Sequence, residues 1–106
     1  MNKNIIQIVT KIKKYLLKNY GKKIKGVILY GSYVRGEDTK DSDIDILVLT
    51  DNTVDPFEVK RSLNDLLFDI LLKKGELVSV IVLPLDYFEN YNYPFIINVK
   101  KEGVKI

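Results

Sequence analysis

The stretch GSYVRGEDTKDSDIDILV, residues 31–48, decides the fold of this chain. It follows one short apolar run, VILY at 27–30, and overlaps a second, IDILVLT at 44–50. Short apolar runs bounded by turn-forming residues are typical of buried strands. Gly31-Ser32 would end the first strand, and residues 33–37 are predicted to form a helical turn or a short helix. The stretch therefore predicts two successive strands and the connection between them.

The rest of the chain predicts helices and a third strand. Asp55-Pro56 followed by Glu58 is a typical helix start, with Asp as the N-cap and Pro at the first helical position. The predicted elements are a helix over 3–20 ending at Gly21, a helix over 56–74 ending at Gly75, a strand over 77–83 ending at Pro84, and short helical pieces over 86–101 followed by Gly103 in a turn. We therefore expect an α/β (α+β) fold, a small mixed sheet of three or more strands flanked by helices that cover mainly one face.

Missing residue types restrict the chemistry available to the chain. Its 106 residues, 46% hydrophobic and 29% charged, suit one folded domain over residues 1–106. The chain has no Cys, which excludes a disulfide, a thiolate zinc site and a thiol nucleophile, and no His, which excludes a Ser-His-Asp triad. The remaining oxygen ligands favour hard cations such as Mg²⁺.

Charge is distributed unevenly along the chain. The net charge of +3 divides into +9 over residues 1–36, −6 over 37–55 and 0 over 56–106. The early lysines could form a surface for RNA or for an acidic partner, but a solvated helix face is the simpler interpretation, and RNA binding is not expected. Because lysines also interrupt the apolar residues of the first helix, we expect no membrane segment, no targeting segment and a cytoplasmic location.

Asp43 and Asp45 are the strongest candidates for a metal site. On a strand, residues i and i+2 point to the same face, with Cα atoms about 6.5–7 Å apart. Two carboxylates held side by side repel each other unless a cation lies between them, so this pair could hold one or two Mg²⁺ ions. An isolated D-x-D is also compatible with a strand that simply begins in solvent.

Gly31 and Ser32 are candidates for a phosphate-binding turn. Gly allows close approach to the backbone, and the Ser hydroxyl and the amides that follow can donate to phosphate oxygens. A plain turn after a strand is the alternative. Together with Asp43 and Asp45, the turn would place a phosphate cradle and a metal site at the ends of two successive strands.

Two residues of the connecting segment have two interpretations each. Arg35 could bind phosphate through its guanidinium group, or it could pair with Glu37, Asp38 or Asp41. Ser42 could be a further nucleotide-binding hydroxyl, or it could hydrogen-bond the backbone of its own turn.

Residues 31–48 resemble the G-S-x10-D-x-D signature of the DNA polymerase β-type nucleotidyltransferase superfamily. For a chain of this length, the resemblance is greatest to the minimal nucleotidyltransferases, the MNT or MntA-like group. The order of predicted helices and strands is also similar to that family's, so the resemblance covers nearly the whole chain, with residues 29–48 as the specific part. It implies a polymerase β palm-like fold and a single minimal nucleotidyltransferase domain.

The resemblance implies a role for each residue of the motif. Gly31 and Ser32 would bind the nucleoside triphosphate, with ATP as the substrate. Asp43 and Asp45 would be catalytic and would hold two Mg²⁺ ions, so that a hydroxyl attacks the α-phosphate and pyrophosphate leaves. The resemblance also implies a HEPN-domain toxin as the partner, which some members neutralise by transferring AMP to one of its tyrosines.

One position departs from the family's pattern. The family's third metal-binding carboxylate is expected in the middle of the third strand, where this chain has Ser79. Glu76 has the opposite strand parity and would face away, and neither Asp69 nor Asp86 is an obvious substitute. Because a general base contributes about 10²–10⁴-fold, its loss predicts weak turnover. The alternative function is a nucleotide- and metal-binding module that neutralises a HEPN partner by forming a complex.

Overall fold

The computed structural model describes residues 2–106. Within them lie six α-helices, four β-strands and a single 3₁₀ turn at Gly21–Lys23. The bounds in chain order are α1 Lys3–Tyr20, β1 Ile24–Tyr30, α2 Ser32–Arg35, β2 Ile44–Thr50, α3 Pro56–Ser62, α4 Asn64–Lys74, β3 Val78–Pro84, α5 Leu85–Asn90, α6 Pro94–Glu102 and β4 Val104–Lys105. Over the same residues, none of the helices is both long enough and apolar enough to cross a membrane.

The four strands form one mixed sheet in the order β3-β2-β1-β4. β1 runs antiparallel to both β2 and β4, whereas β2 and β3 are parallel. Parallel neighbours need a long crossover, and α3 and α4 provide it. β2 is paired on both sides and is buried at every position except the half-buried Asp45. The predicted mixed sheet is therefore confirmed.

Helices cover both faces of this sheet, so the prediction of cover mainly on one face is wrong. On one face, Ile46 and Val48 of β2 belong to a core that includes residues of α1, α3 and α4. On the other face, Leu47 and Leu49 belong to a second core that includes residues of α5 and α6. A strand that is apolar on both sides must be covered on both sides, and the helical pieces that end the chain cover the second face.

The helix predicted over 56–74 is two helices that break at Leu63. The Tyr15 hydroxyl of α1 donates to the Ser62 carbonyl at 2.8 Å, and the Tyr20 hydroxyl donates to Ser62 Oγ at 2.8 Å. Ser62 Oγ in turn donates to the Val59 carbonyl at 2.8 Å. These side-chain hydrogen bonds compete with the helical ladder, so contacts with α1 account for the break.

Element boundaries otherwise lie close to the prediction. β1 begins three residues earlier, at Ile24, which pairs with Thr50 although the exposed Lys25 interrupts the apolar run. β3 is shifted by one residue, and the two-residue β4 was not predicted. The predicted helix start is confirmed, since Asp55 Oδ1 accepts a hydrogen bond from the Phe57 amide at 2.9 Å.

Candidate active site

The strand order brings three strand ends together at one end of the sheet. β1 ends where its antiparallel neighbour β2 begins, and β3 begins beside β2 because these two strands are parallel. Tyr30 of β1 and Ser79 of β3 are consequently the register partners of Asp45 on its two sides. Gly31 follows Tyr30 directly, and Asp43 lies two residues before Asp45. The predicted phosphate-binding turn and the predicted metal pair therefore lie at the same end of the sheet.

Gly31 is in direct contact with Asp45. Its backbone has φ +86° and ψ −158°, a conformation that is essentially restricted to glycine. A Cβ atom at this position would overlap the Asp45 carboxylate and would lie 3.1 Å from its Cγ. The carboxylate thus lies against the main chain of the turn, with Ser32 as the next residue and the first of α2. The two halves of the motif form one continuous surface.

Asp43 and Asp45 differ in their surroundings. Asp45 is half-buried on β2, whereas Asp43 is exposed and precedes the strand, which begins at Ile44. β2 spans the predicted residues 44–50, so Asp45 lies on the strand and Asp43 lies in the segment that leads into it. Burial, and after it the negative charge of Asp43, raise the pKa of the Asp45 carboxyl.

This pair of carboxylates fits a hard divalent cation. Their mutual repulsion, which contributes to the raised pKa of Asp45, is the cost that a bound cation would offset. Their oxygens are ligands of the kind that Mg²⁺ prefers. Across residues 2–106, no group of three or more acidic side chains is arranged to hold a metal ion. The described part of the site thus offers a metal two carboxylates rather than three.

Arg35 lies at the rim of this surface and pairs with two glutamates. Its Nε donates to Glu37 at 2.6 Å, and its Nη1 donates to Glu102 at 3.0 Å. Hydrogen bonds to Glu37, and secondly to Glu102, raise the pKa of the guanidinium. Of the predicted acidic partners, Glu37 is confirmed, whereas neither Asp38 nor Asp41 is paired with Arg35 in the described residues.

Glu102 is a site residue that the sequence did not indicate. It is the last residue of α6, yet its Oε1 also accepts a hydrogen bond from the Gly31 amide at 3.3 Å. Its partners Gly31 and Arg35 lie 71 and 67 residues away along the chain. No local pattern marks such a contact, because it depends on α6 packing against the second face of the sheet.

Ser42 and Tyr33 make hydrogen bonds within and from the segment that connects β1 to β2. Ser42 Oγ accepts a hydrogen bond from the Thr39 amide at 2.8 Å, so its hydroxyl bonds the backbone of its own turn, one of the two interpretations considered. The Tyr33 hydroxyl donates to Glu76 at 3.2 Å, and the Ser42 carbonyl lies 3.4 Å from it. Burial first, and then Glu76, raise the pKa of Tyr33. Glu76 lies before β3, so the alternation of side chains along a strand does not decide which way it faces.

Ser79 occupies the position beside Asp45 on the neighbouring strand. It is half-buried and is the parallel register partner of Asp45, so the third strand presents a hydroxyl at this point. On the other side, burial and the Asp45 charge raise the pKa of Tyr30 to about 12, and this phenol stays protonated. Asp69 instead pairs with Lys73 on α4 at 3.2 Å, and Asp86 follows the far end of β3. Neither Asp69 nor Asp86 replaces the acid.

Solved structures share this fold. A crystal structure of a toxin-antitoxin with AMP-PNP superimposes with a TM-score of 0.59 at 22% identity, covering 90% of this chain and 69% of the other. A variant of the MntA-HpeT toxin-antitoxin superimposes with a TM-score of 0.56 at 28% identity, covering 92% of this chain and 69% of the other. These likenesses agree with the predicted polymerase β-like fold.

Sequence comparisons identify the family. The chain is 39% identical over 89 residues to "Putative protein adenylyltransferase MJ0604" of Methanocaldococcus jannaschii, covering 83% of both proteins. It is 42% identical over 76 residues to MJ1379, which carries the same designation in the same organism, covering 71% of this chain and 74% of that one. A family model described as "Nucleotidyltransferase domain" matches residues 9–106. Together with the arrangement of Gly31, Asp43 and Asp45, this match establishes that the chain belongs to the nucleotidyltransferase domain family.

Proposed function

We propose that this protein transfers AMP from ATP to a hydroxyl group of a partner protein in a Mg²⁺-dependent reaction. The observation that carries the proposal is the contact between Gly31 and the Asp45 carboxylate, with Asp43 beside it. It puts a turn that a phosphate can approach closely against a pair of hard metal ligands. Family membership supports transfer of a nucleotide, and the designation of the relatives supports a protein as the acceptor.

Each residue of the site has a part in this reaction. Gly31 and Ser32 bind the triphosphate, and Arg35 contributes positive charge at its rim. Asp43 and Asp45 would hold Mg²⁺, which when bound offsets the charge on the reacting phosphate and the pyrophosphate. The acceptor oxygen bonds to the α-phosphorus, the bond between that phosphorus and the bridging oxygen breaks, and pyrophosphate leaves. The hydroxyl proton passes to solvent.

The acceptor belongs to a second protein in this proposal. The chain shares its fold with toxin-antitoxin proteins, and its resemblance to the minimal nucleotidyltransferases points to a HEPN-domain protein. Because the described helices serve to cover the two faces of one small sheet, a partner must bring the hydroxyl to the site. The protein would then act as the antitoxin of that pair.

Ser79 favours a second candidate function. It stands beside Asp45 where the family's third carboxylate is expected, and two acidic side chains are a weaker metal site than three. A protein that binds ATP and the partner but transfers slowly, or not at all, would neutralise the partner by forming a complex. The two functions differ in whether a covalent bond forms.

Labelled ATP distinguishes the two functions. We expect α-labelled ATP with Mg²⁺ to label the protein encoded beside this chain, γ-labelled ATP to leave it unlabelled, and EDTA to abolish labelling. Transfer of the α-label but not the γ-label identifies nucleotidyl transfer. If this chain binds ATP and the partner but no label is transferred, the enzyme proposal is wrong and the binding module stands. If ATP does not bind, both candidates fail.

Replacing Ser79 by Asp is expected to raise the rate of transfer about tenfold. A tuned general base contributes about 10²–10⁴-fold, but an acid introduced next to Asp45 and Asp43 would be ionised less readily, which reduces the gain. The measurement is the initial rate of label transfer. Ser79→Ala is the matched control and should show no gain. An equally slow Ser79→Asp would mean that a third carboxylate has no role at this position.

A further inference from the structure

Glu102 accepts hydrogen bonds from two donors of the proposed phosphate site. Its Oε1 accepts from the Gly31 amide at 3.3 Å, and both of its oxygens accept from Arg35 Nη1, at 3.0 and 3.2 Å. The Gly31 amide has one hydrogen and can serve one strong acceptor at a time. A phosphate oxygen at this amide would therefore compete with the carboxylate.

The backbone of Glu102 is fixed by its surroundings. A Cβ atom on the adjacent Gly103 would lie 2.5 Å from the Val99 carbonyl and 2.6 Å from Ile28 Cγ2, so the end of α6 lies very close to β1. β4 then pairs with β1, and the Ile106 amide donates to the Val27 carbonyl at 2.9 Å. The main chain therefore keeps the Glu102 carboxylate near the site.

The Glu102 side chain is held less firmly than its backbone. It is 24% exposed, and the Arg35 side chain with which it pairs is 45% exposed. Its negative charge lies at the C-terminal end of α6, where the helix dipole disfavours an anion. The same charge also repels the Asp45 carboxylate. Rotation of this side chain into solvent would relieve both repulsions without moving the main chain.

We propose that Glu102 is a side-chain latch that lies at the phosphate position of the proposed site and must leave when a triphosphate binds. This inference rests on the proposed function, because it concerns regulation of the same nucleotide site. The latch lowers the affinity for nucleotide, since part of the binding free energy is used to displace the carboxylate. Binding of a triphosphate also removes the contact between α6 and the turn at Gly31, which couples the site to the end of α6.

Binding of ATP and of inorganic triphosphate, each with Mg²⁺, tests the latch by calorimetry. We expect Glu102→Gln and Glu102→Ala to lower the Kd for both ligands by about threefold to tenfold. Glu37→Gln is the matched control, because Glu37 pairs with the same guanidinium but it is Glu102 that accepts the hydrogen bond from the Gly31 amide. This control should change either Kd by less than about twofold. Inorganic triphosphate isolates competition for phosphate from any effect on the nucleoside.

Two outcomes would overturn the latch. An unchanged Kd in both Glu102 variants would show that the carboxylate does not compete, and a raised Kd would show that it positions Arg35 for binding instead. If the wild-type protein and both variants bind neither ligand, the proposed function itself fails. Hydrogen exchange gives an independent readout: without triphosphate, the Gly31 amide should exchange faster in Glu102→Ala than in the wild-type protein, where Glu102 accepts its hydrogen bond. Equal exchange in the two proteins would contradict the contact on which the latch depends.

Discussion

Replacing Asp45 by Asn is expected to lower the rate of nucleotidyl transfer by at least about 10²–10³-fold. Asp45 lies against Gly31 and beside Asp43, so it is the carboxylate that joins the proposed metal site to the phosphate-binding turn. Asn has nearly the same shape but lacks the negative charge that holds a divalent cation. The measurement is the initial rate of transfer from α-labelled ATP at saturating Mg²⁺.

Asp41→Asn is the matched control for this variant. It removes the same charge from the adjoining connection, where Asp41 is exposed and its side chain is not among the described ion pairs. Its transfer rate should stay within about twofold of the wild-type rate. Equal rates for Asp45→Asn and wild type would show that the D-x-D pair does not hold the catalytic metal.

The same Asp45→Asn variant is expected to be more stable than the wild type at neutral pH. The pKa of Asp45 is raised in the folded protein, so the folded state binds that proton more tightly than the unfolded state does. The ionised carboxyl therefore costs stability above its pKa, and this cost disappears as pH falls through the pKa and the group is protonated. Urea unfolding should show a gain for Asn at neutral pH that vanishes in acid. A loss of stability at neutral pH would contradict the assigned surroundings of Asp45.

Replacing Gly31 by Ala is expected to reduce transfer by about 10²-fold and to destabilise the fold by about 1–3 kcal/mol. The added Cβ would overlap the Asp45 carboxylate, so either this side chain or the turn must move. Displacement of a reacting group by about 1 Å can cost 10²-fold in rate. Transfer rates and urea unfolding are both measured, because a loss of folding alone would lower both.

Gly36→Ala separates strain from the clash with Asp45. Gly36 also has a positive φ, +71°, but nothing lies within 4 Å of a Cβ atom built there. In Gly36→Ala, backbone strain should lower the free energy of unfolding by about 1 kcal/mol, and the variant should keep most of the wild-type transfer rate. If Gly31→Ala and Gly36→Ala lose transfer equally, the contact of Gly31 with Asp45 has no functional importance.

Much of the fold follows from local sequence patterns. The apolar run at 44–50 is a strand because it is buried on both faces, and the Asp55 cap begins α3 as predicted. The break between α3 and α4 could not be predicted in this way. It depends on Tyr15 and Tyr20 of α1 contacting Ser62, and nothing in residues 56–74 indicates where α1 will lie.

The candidate site, like the fold, was predicted in part from local sequence and in part depends on tertiary contacts. The spacing from Gly31 to Asp45 predicted that a turn and two acids lie at one end of the sheet, and the structure brings them there. The roles of Gly31, Ser32, Arg35, Ser42, Asp43 and Asp45 in binding nucleotide or metal remain predictions. Glu102 could not be found from the sequence, because it reaches Arg35 only after α6 has packed on the second face.

The sequence by itself determined the elements and the motif, since hydrophobic period, capping residues and turn residues act over a few neighbouring positions. It also determined the family, through the G-S and D-x-D residues and the strands that carry them. The tertiary structure alone decided that the sheet is covered on both faces, that the Asp45 carboxylate lies against Gly31, and that Glu102 reaches the turn. These contacts join residues far apart in the chain, so their free energy appears only when the helices pack on the sheet and the separated groups meet.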